Sequence, residues 1–199
     1  MTTFILNNPE TASITEEQFY QICAANRELR LERTARGDLI IMAPTGGGTG
    51  NRNLKIAQQL ANWTDADGTG IGFDSSTCFK LPQGPDYSPD ASWIPLAKWD
   101  ALTAEEKEKF LPLCPDFVIE LRSPTGGLRP SPSDSVKLLQ SKMQEYLENG
   151  TRLGWLINPK NCQVEVYRQG QEKEILDNPT TLSGENVLPG FVLNLSSIW

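Results

Sequence analysis

The chain contains no histidine. That absence removes imidazole as a general base and as a zinc or haem ligand, and with it Ser-His-Asp or Cys-His catalysis from this chain alone. Its 4 cysteines, Cys23, Cys78, Cys114 and Cys162, form no CxxC pair. That spacing excludes a zinc knuckle and a thioredoxin-like redox site. Thiols so scattered read as small buried hydrophobes in a reducing compartment, the cytoplasm. No apolar run reaches the about 18 residues of a membrane span, and no basic flank precedes an apolar stretch, so neither an anchor nor a signal peptide is expected. Positive charge is also short: 18 Lys plus Arg stand against 25 Asp plus Glu, a net charge of −7. The Gly46–Gly50 run lacks the Gly-Lys-Ser/Thr ending of a phosphate loop, which excludes that form of nucleotide binding.

What is present suffices for a packed core. With 199 residues, 38% of them hydrophobic, the composition predicts one domain over residues 1–199, its core from about residue 15. Thr15 and Gln18 form a capping box, opening a helix that ends near Leu31. A hairpin turning at Gly37-Asp38 follows, its second strand Leu39–Met42 stopped by Pro44. The glycine run is read as flexible, with a helix from Asn51 to Trp63 after it. Strands are expected at Ile71–Phe73, Thr77–Leu81, Trp93–Ile94, Phe117–Leu121, Leu153–Ile157 and Cys162–Arg168, with a short edge strand over 171–176. A short helix capped by Thr103 and Glu106 lies between Thr103 and Phe110. Residues 124–133 are rich in breakers, and a strong helix runs from Ser135 to Asn149. The pattern is an α/β (α+β) fold, and strand 117–121, helix 135–149 and strand 153–157 read as a right-handed crossover with parallel strands.

Glu120 stands out among the acids. Alternation places it with Val118 and Arg122, opposite Phe117, Ile119 and Leu121, and a carboxylate on so apolar a strand needs a cation or hydrogen bonds to offset its desolvation. It is either the partner of Arg122 across the same face or a metal-binding group at the end of a central strand. Asp90, in Pro89-Asp90-Ala91, is an ordinary turn aspartate or its companion. Lys142 lies between Leu138 and Tyr146 at helical spacing, either snorkelling or held beside acids. Glu32 completes an inventory that suits Mg²⁺, which prefers oxygen ligands and supports phosphodiester hydrolysis with few other groups. Lys142→Ala is expected to cost far less stability than Leu139→Ala.

The segments Leu31–Pro44, Tyr87–Trp93, Cys114–Pro124, Leu139–Gly150 and Leu153–Pro159 together resemble a restriction-endonuclease-like family abundant in cyanobacteria, once catalogued as a domain of unknown function. The resemblance runs from about residue 15 to Trp199. It implies the PD-(D/E)XK nuclease fold, a central mixed sheet flanked by helices, and metal-dependent hydrolysis of nucleic acid, DNA first. Carried onto this sequence, it implies Asp90 and Glu120 as metal ligands for Mg²⁺ or Mn²⁺ and Glu32 as an accessory acid. Arg122 stands where the superfamily pattern has lysine, and Lys142 supplies that lysine from the following helix. Arg122 and Arg52 are the expected phosphate contacts, within a basic surround of Lys55, Arg129, Lys137 and Arg152. Residues 125–132 form an extra loop relative to relatives. Homodimer formation is also expected. Two other readings stay open: a catalytically weak or inactive binding or regulatory module of the same fold, and a structural interaction protein marked by a large exposed apolar patch.

Overall fold

The computed structural model describes residues 3–6, 13–42, 44–123 and 136–199. The extra loop 125–132, Arg129 and the expected helix start at Ser135 lie outside them. In chain order the elements are β1 (Thr3–Leu6), α1 (Glu16–Ala25), β2 (Arg30–Arg33), β3 (Leu39–Met42), α2 (Gly47–Asp67) and β4 (Gly70–Asp74). Then come β5 (Phe79–Lys80), β6 (Asp86–Tyr87), β7 (Ala91–Pro95), α3 (Leu96–Asp100), α4 (Ala104–Lys107) and β8 (Phe117–Leu121). The C-terminal part holds α5 (Val136–Glu148), β9 (Leu153–Asn158), β10 (Gln163–Arg168), β11 (Glu174–Asp177), β12 (Thr181–Ser183) and β13 (Val192–Asn194).

A six-stranded mixed sheet in the order β11-β10-β9-β8-β7-β4 forms the centre. Among the described residues its parallel pair is β8 with β9, joined through α5 as the crossover pattern predicts. A five-stranded antiparallel sheet, β1-β3-β2-β6-β5, stands beside it, and β12 and β13 form a separate pair. This is the mixed α/β architecture of a restriction-endonuclease-like fold, a central mixed sheet with flanking helices. Alternation along β8 divides the core. Phe117, Ile119 and Leu121 pack with Trp155, Phe191 and α2 residues Ile56 and Leu60 on one face. Val118 packs with Met143 and Tyr146 of α5 on the other.

Both capping boxes form, at Thr15/Gln18 and at Thr103/Glu106. The glycine run differs from expectation: α2 begins at Gly47, so the supposedly flexible stretch is its first turn. Glycine costs a helix about 1 kcal/mol per residue relative to alanine. Burial of Thr49, Ile56, Leu60 and Thr64 along one side of a 21-residue helix outweighs that. The helix ends at Gly68, whose φ of 68° is the left-handed cap conformation that glycine adopts without strain. Strand β1, unassigned from sequence, pairs antiparallel with β3, and α3 is likewise additional. The expected strand over 77–81 shrinks to β5. Of the 4 cysteines, all free, Cys78 and Cys114 are buried but Cys23 and Cys162 are only half-buried. Among the described residues no helix is long and apolar enough to cross a membrane.

Candidate active site

The register of β7 on β8 places the two leading acids together. Ala91 pairs with Ile119, Ser92 with Val118 and Trp93 with Phe117. One step beyond, Asp90 falls opposite Glu120. The backbone N–H of Leu121 donates to Asp90 Oδ2 at 2.8 Å, and Asn53 Nδ2 on α2 donates to Oδ1 at 2.9 Å. Burial lifts the Asp90 carboxyl above its ordinary range despite these donors and the charge of Lys142.

Glu120 is only 4% exposed, and Glu32 on β2 only 3%. Between them sits the ammonium of Lys142, 2.7 Å from Glu32 Oε1 and 2.8 Å from Glu120 Oε1. Tyr146, one helical turn on, donates its hydroxyl to Glu120 Oε1 at 3.1 Å. Both bonds to Glu120 fall on Oε1, which leaves Oε2 as the oxygen available to a ligand. Ser88 N–H donates to Glu32 Oε1 at 2.8 Å. The rings of Tyr87 and Tyr146 lie 5.0 and 5.8 Å from the ammonium, close enough for cation–π attraction. Burial pushes the Glu120 carboxyl up to about 7, outweighing Lys142, with the charges of Asp90 and Glu32 adding to the rise. Burial opposes the charge on Lys142, but Glu120 and Glu32 more than offset it and raise its pKa, so the amine stays protonated.

Glu32, Asn53, Tyr87, Ser88, Asp90, Glu120 and Lys142 line one cavity of about 400 Å³, and Tyr146 stands behind it. Glu32, Asp90, Glu120 and Lys142 thus converge, from β2, the turn before β7, β8 and α5. Arg122 and Arg52 are not among the lining residues. Arg122 Nη1 donates to Asn158 Oδ1 at 3.3 Å rather than pairing with Glu120, and Arg52 Nε ties the C-terminus by donating to the Ile198 carbonyl at 2.6 Å. Arg152 stands at the opposite end of β8, where its backbone N–H meets the Asp116 carbonyl. Among the described residues, Lys55, Lys137 and Arg152 of the expected basic surround do not line the cavity. Arg30 and Arg36 of the β2–β3 hairpin line the cavity instead.

Among the described residues no cluster of three or more His, Cys, Asp or Glu side chains could hold a metal ion. Zinc would require such a set. Mg²⁺ does not: it is commonly held by one or two carboxylates, with waters and substrate phosphate completing its shell. Asp90, Glu120 Oε2 and the buried, unpartnered Oδ1 of Asn53 supply hard oxygen donors of that kind.

Sequence comparison adds the lineage. Residues 16–196 match the Uma2 family, described as "Putative restriction endonuclease". The chain belongs to the Uma2 family. It shares the fold of a crystal structure from Anabaena variabilis ATCC 29413, described as a "putative nuclease belonging to DUF820", with a TM-score of 0.68 and 21% identity over 86% of this chain and 90% of that one. None of the curated proteins matches this sequence. Membership of Uma2 places the chain within the PD-(D/E)XK superfamily. Asn53, Tyr146 and Arg36 were missed from sequence. Tyr146 carried a legible signal, sitting four residues after Lys142 on the same helical face.

Proposed function

We propose that the chain is a divalent-cation-dependent endonuclease that hydrolyses phosphodiester bonds in nucleic acid, with DNA as substrate and Mg²⁺ or Mn²⁺ as cofactor. The observation that carries this reading is the convergence of Asp90 and Glu120, opposed across two paired strands, with an ammonium fixed between Glu120 and Glu32 in one cavity. Asp90 and Glu120 would hold the cation, with Asn53 Oδ1 beside them. When bound, the ion supplies Lewis-acid stabilisation of charge developing on phosphate oxygens.

The chain's own groups have separate tasks. Lys142, held protonated by two carboxylates, is not the general base. Its ammonium uses two of three N–H groups on Glu32 and Glu120, and the third orients the attacking water or a phosphate oxygen. Glu32, braced by Ser88, fixes the ammonium from the second sheet. Tyr146 fixes Glu120 so that Oε2 is presented. In the reaction water adds to phosphorus and releases a proton to solvent, a bond from phosphorus to one bridging oxygen breaks, and the departing oxygen takes a proton from solvent.

The test is incubation of purified protein with plasmid and single-stranded DNA in Mg²⁺ or Mn²⁺, using Asp90→Ala as the control for contaminants. Metal-dependent cutting lost in the variant supports the proposal. A second reading rests on the same ion pairs: Lys142 already satisfies both acids, so the cavity is stable without a cation, as a binding module requires. Oligonucleotide binding without any metal-dependent cutting selects that reading. Pairing of two copies would use an open edge of the central sheet, β4 or β11, and light scattering in solution tests it.

A further inference from the structure

We infer that the cavity takes a nucleotide of an unpaired nucleic-acid strand rather than the side of an intact duplex, with Arg36 as the contact for its phosphate backbone. This rests on the hydrolytic reading above and narrows its substrate class.

The first observation is access. Glu120 and Glu32 are 4% and 3% exposed, so the acids lie inside the cavity instead of on an open surface. A duplex presents its phosphates on a broad convex cylinder, and its bases are already stacked inside. The cavity of about 400 Å³ falls at the small end of the range for sites that enclose a single small molecule, about 300–1,000 Å³. Enzymes that must bring one nucleotide into such a pocket act on single strands or extrude the nucleotide from the stack.

The second observation is the wall. Ile40 and Met42 of β3 and Leu139 of α5 line the cavity and belong to one apolar cluster. Met42 and Leu139 are only half-buried, leaving apolar surface facing the same space as the acids. A phosphate–sugar backbone offers nothing apolar to cover it. An unpaired base does, because every base has a flat apolar face.

The third is charge. The cavity is lined by Glu32, Asp90, Glu120 and Glu145, against Lys142, Arg30 and Arg36. Lys142 is engaged by two carboxylates, and Arg30 donates to the Ser75 carbonyl. Arg36 has an 86% exposed side chain, a loose 3.5 Å contact to Asp38 and the charge of Glu145 near it. It is carried on a firmly built turn: Asp38 N–H donates to Thr34 Oγ1, and Gly37, with φ of 84°, lies so close to Ser13 and Ile14 that a Cβ would not fit. A guanidinium presented from such a turn, at the mouth of an acidic cavity, is placed to meet a phosphate flanking the one to be cut.

The experiment is fluorescence anisotropy of the full chain with a labelled oligonucleotide, single-stranded and as its duplex, without metal and with Mg²⁺, the same sequence being offered as DNA and as RNA. Single-strand affinity at least ten-fold above duplex affinity, with either sugar, supports the inference, and the DNA and RNA arms identify the source of the strand. Arg36→Ala should then weaken single-strand binding several-fold and reduce the salt dependence by about 0.7, one phosphate contact. Its melting temperature should be unchanged. Duplex binding equal to or tighter than single-strand binding overturns the inference, and Mg²⁺-dependent cutting of that duplex leaves the hydrolytic reading standing. An Arg36→Ala variant with unaltered affinity and salt slope removes Arg36 from the proposal. No binding of either form at low salt, together with no cutting, overturns both.

Discussion

The two faces of β8 differ by one side chain in their chemistry and by much more in their consequences. On one face Phe117, Ile119 and Leu121 meet Trp155 and Phe191, with the Phe117 and Trp155 rings edge to face at 4.7 Å. Nothing on that face needs a partner beyond van der Waals contact, and its burial contributes stability directly. On the other face Val118 is followed by Glu120, and the strand must enclose a carboxylate, an ammonium and a second carboxylate from another sheet. Buried ion networks gain little net stability over apolar packing. The contrast teaches that one face of a single strand maintains the fold, while the other gives up stability to hold charge in the cavity.

The comparison is broken most severely from the apolar side. Phe117→Ala should cost about 3–5 kcal/mol and lower the melting temperature with both faces affected, because the strand carries Glu120 as well. Glu120→Gln is the converse: it keeps the shape and removes the charge. Cleavage rates on labelled DNA should fall by about 10²–10³-fold or more, with the thermal melt unchanged or raised. A melt collapsing along with activity would show that the polar face also carries the fold.

Lys142→Ala sharpens the contrast. Sequence reading expected a mild stability effect, smaller than that of Leu139→Ala. The structure reverses that order, since the Lys142 side chain is 11% exposed and its loss leaves two buried carboxylates facing each other. A cost of about 3–5 kcal/mol at pH 8 is expected, partly restored by Mg²⁺, whereas Leu139 is only half-buried and falls toward the low end of about 2–5 kcal/mol. Chemical denaturation with and without the ion measures both.

Titration should be confined to the polar face. The Glu120 carboxyl is lifted from 4.5 to about 7, so between those values the folded protein retains a proton that the unfolded chain has released. The stability from this group is therefore complete below about pH 4.5, declines as pH rises toward 7, and is flat above. Melts in chelator across that window should show the decline, and Glu120→Gln should flatten it. The smallest effect belongs to Asp116→Asn at the far end of β8, where Asp116 pairs with Lys98 at 2.6 Å. Cleavage should be nearly unchanged, and a large loss would extend the site along the whole strand.

Local signals in the sequence carried a good part of this. Both capping boxes, the β2–β3 hairpin and the β8–α5–β9 crossover follow from side-chain oxygens, turn residues and periodicity acting within a few residues, so composition and spacing report them. Alternation alone put Glu120 opposite Phe117 and Ile119, and helical spacing put Lys142 on the face of Tyr146. Distance in the chain hid the rest. The glycine-rich start of α2 looks flexible by propensity, and it is helical as the first turn of a helix that buries Thr49, Ile56, Leu60 and Thr64. Lys142 could have snorkelled outward, but Glu32, 110 residues away, turns it inward. Arg122 and Arg52 are near the acids in sequence or family pattern, yet Asn158 and the Ile198 carbonyl hold them elsewhere, while Arg36 reaches the cavity by the fold of a hairpin. By itself the sequence determined the principal helices and central strands and which face of each is apolar, because those depend on short-range geometry and hydrophobic period, whereas β1, α3 and the start of α2 did not show in it. Which charges meet was decided only by the tertiary structure, because an ion pair depends on distances between strands and helices whose register no local pattern encodes.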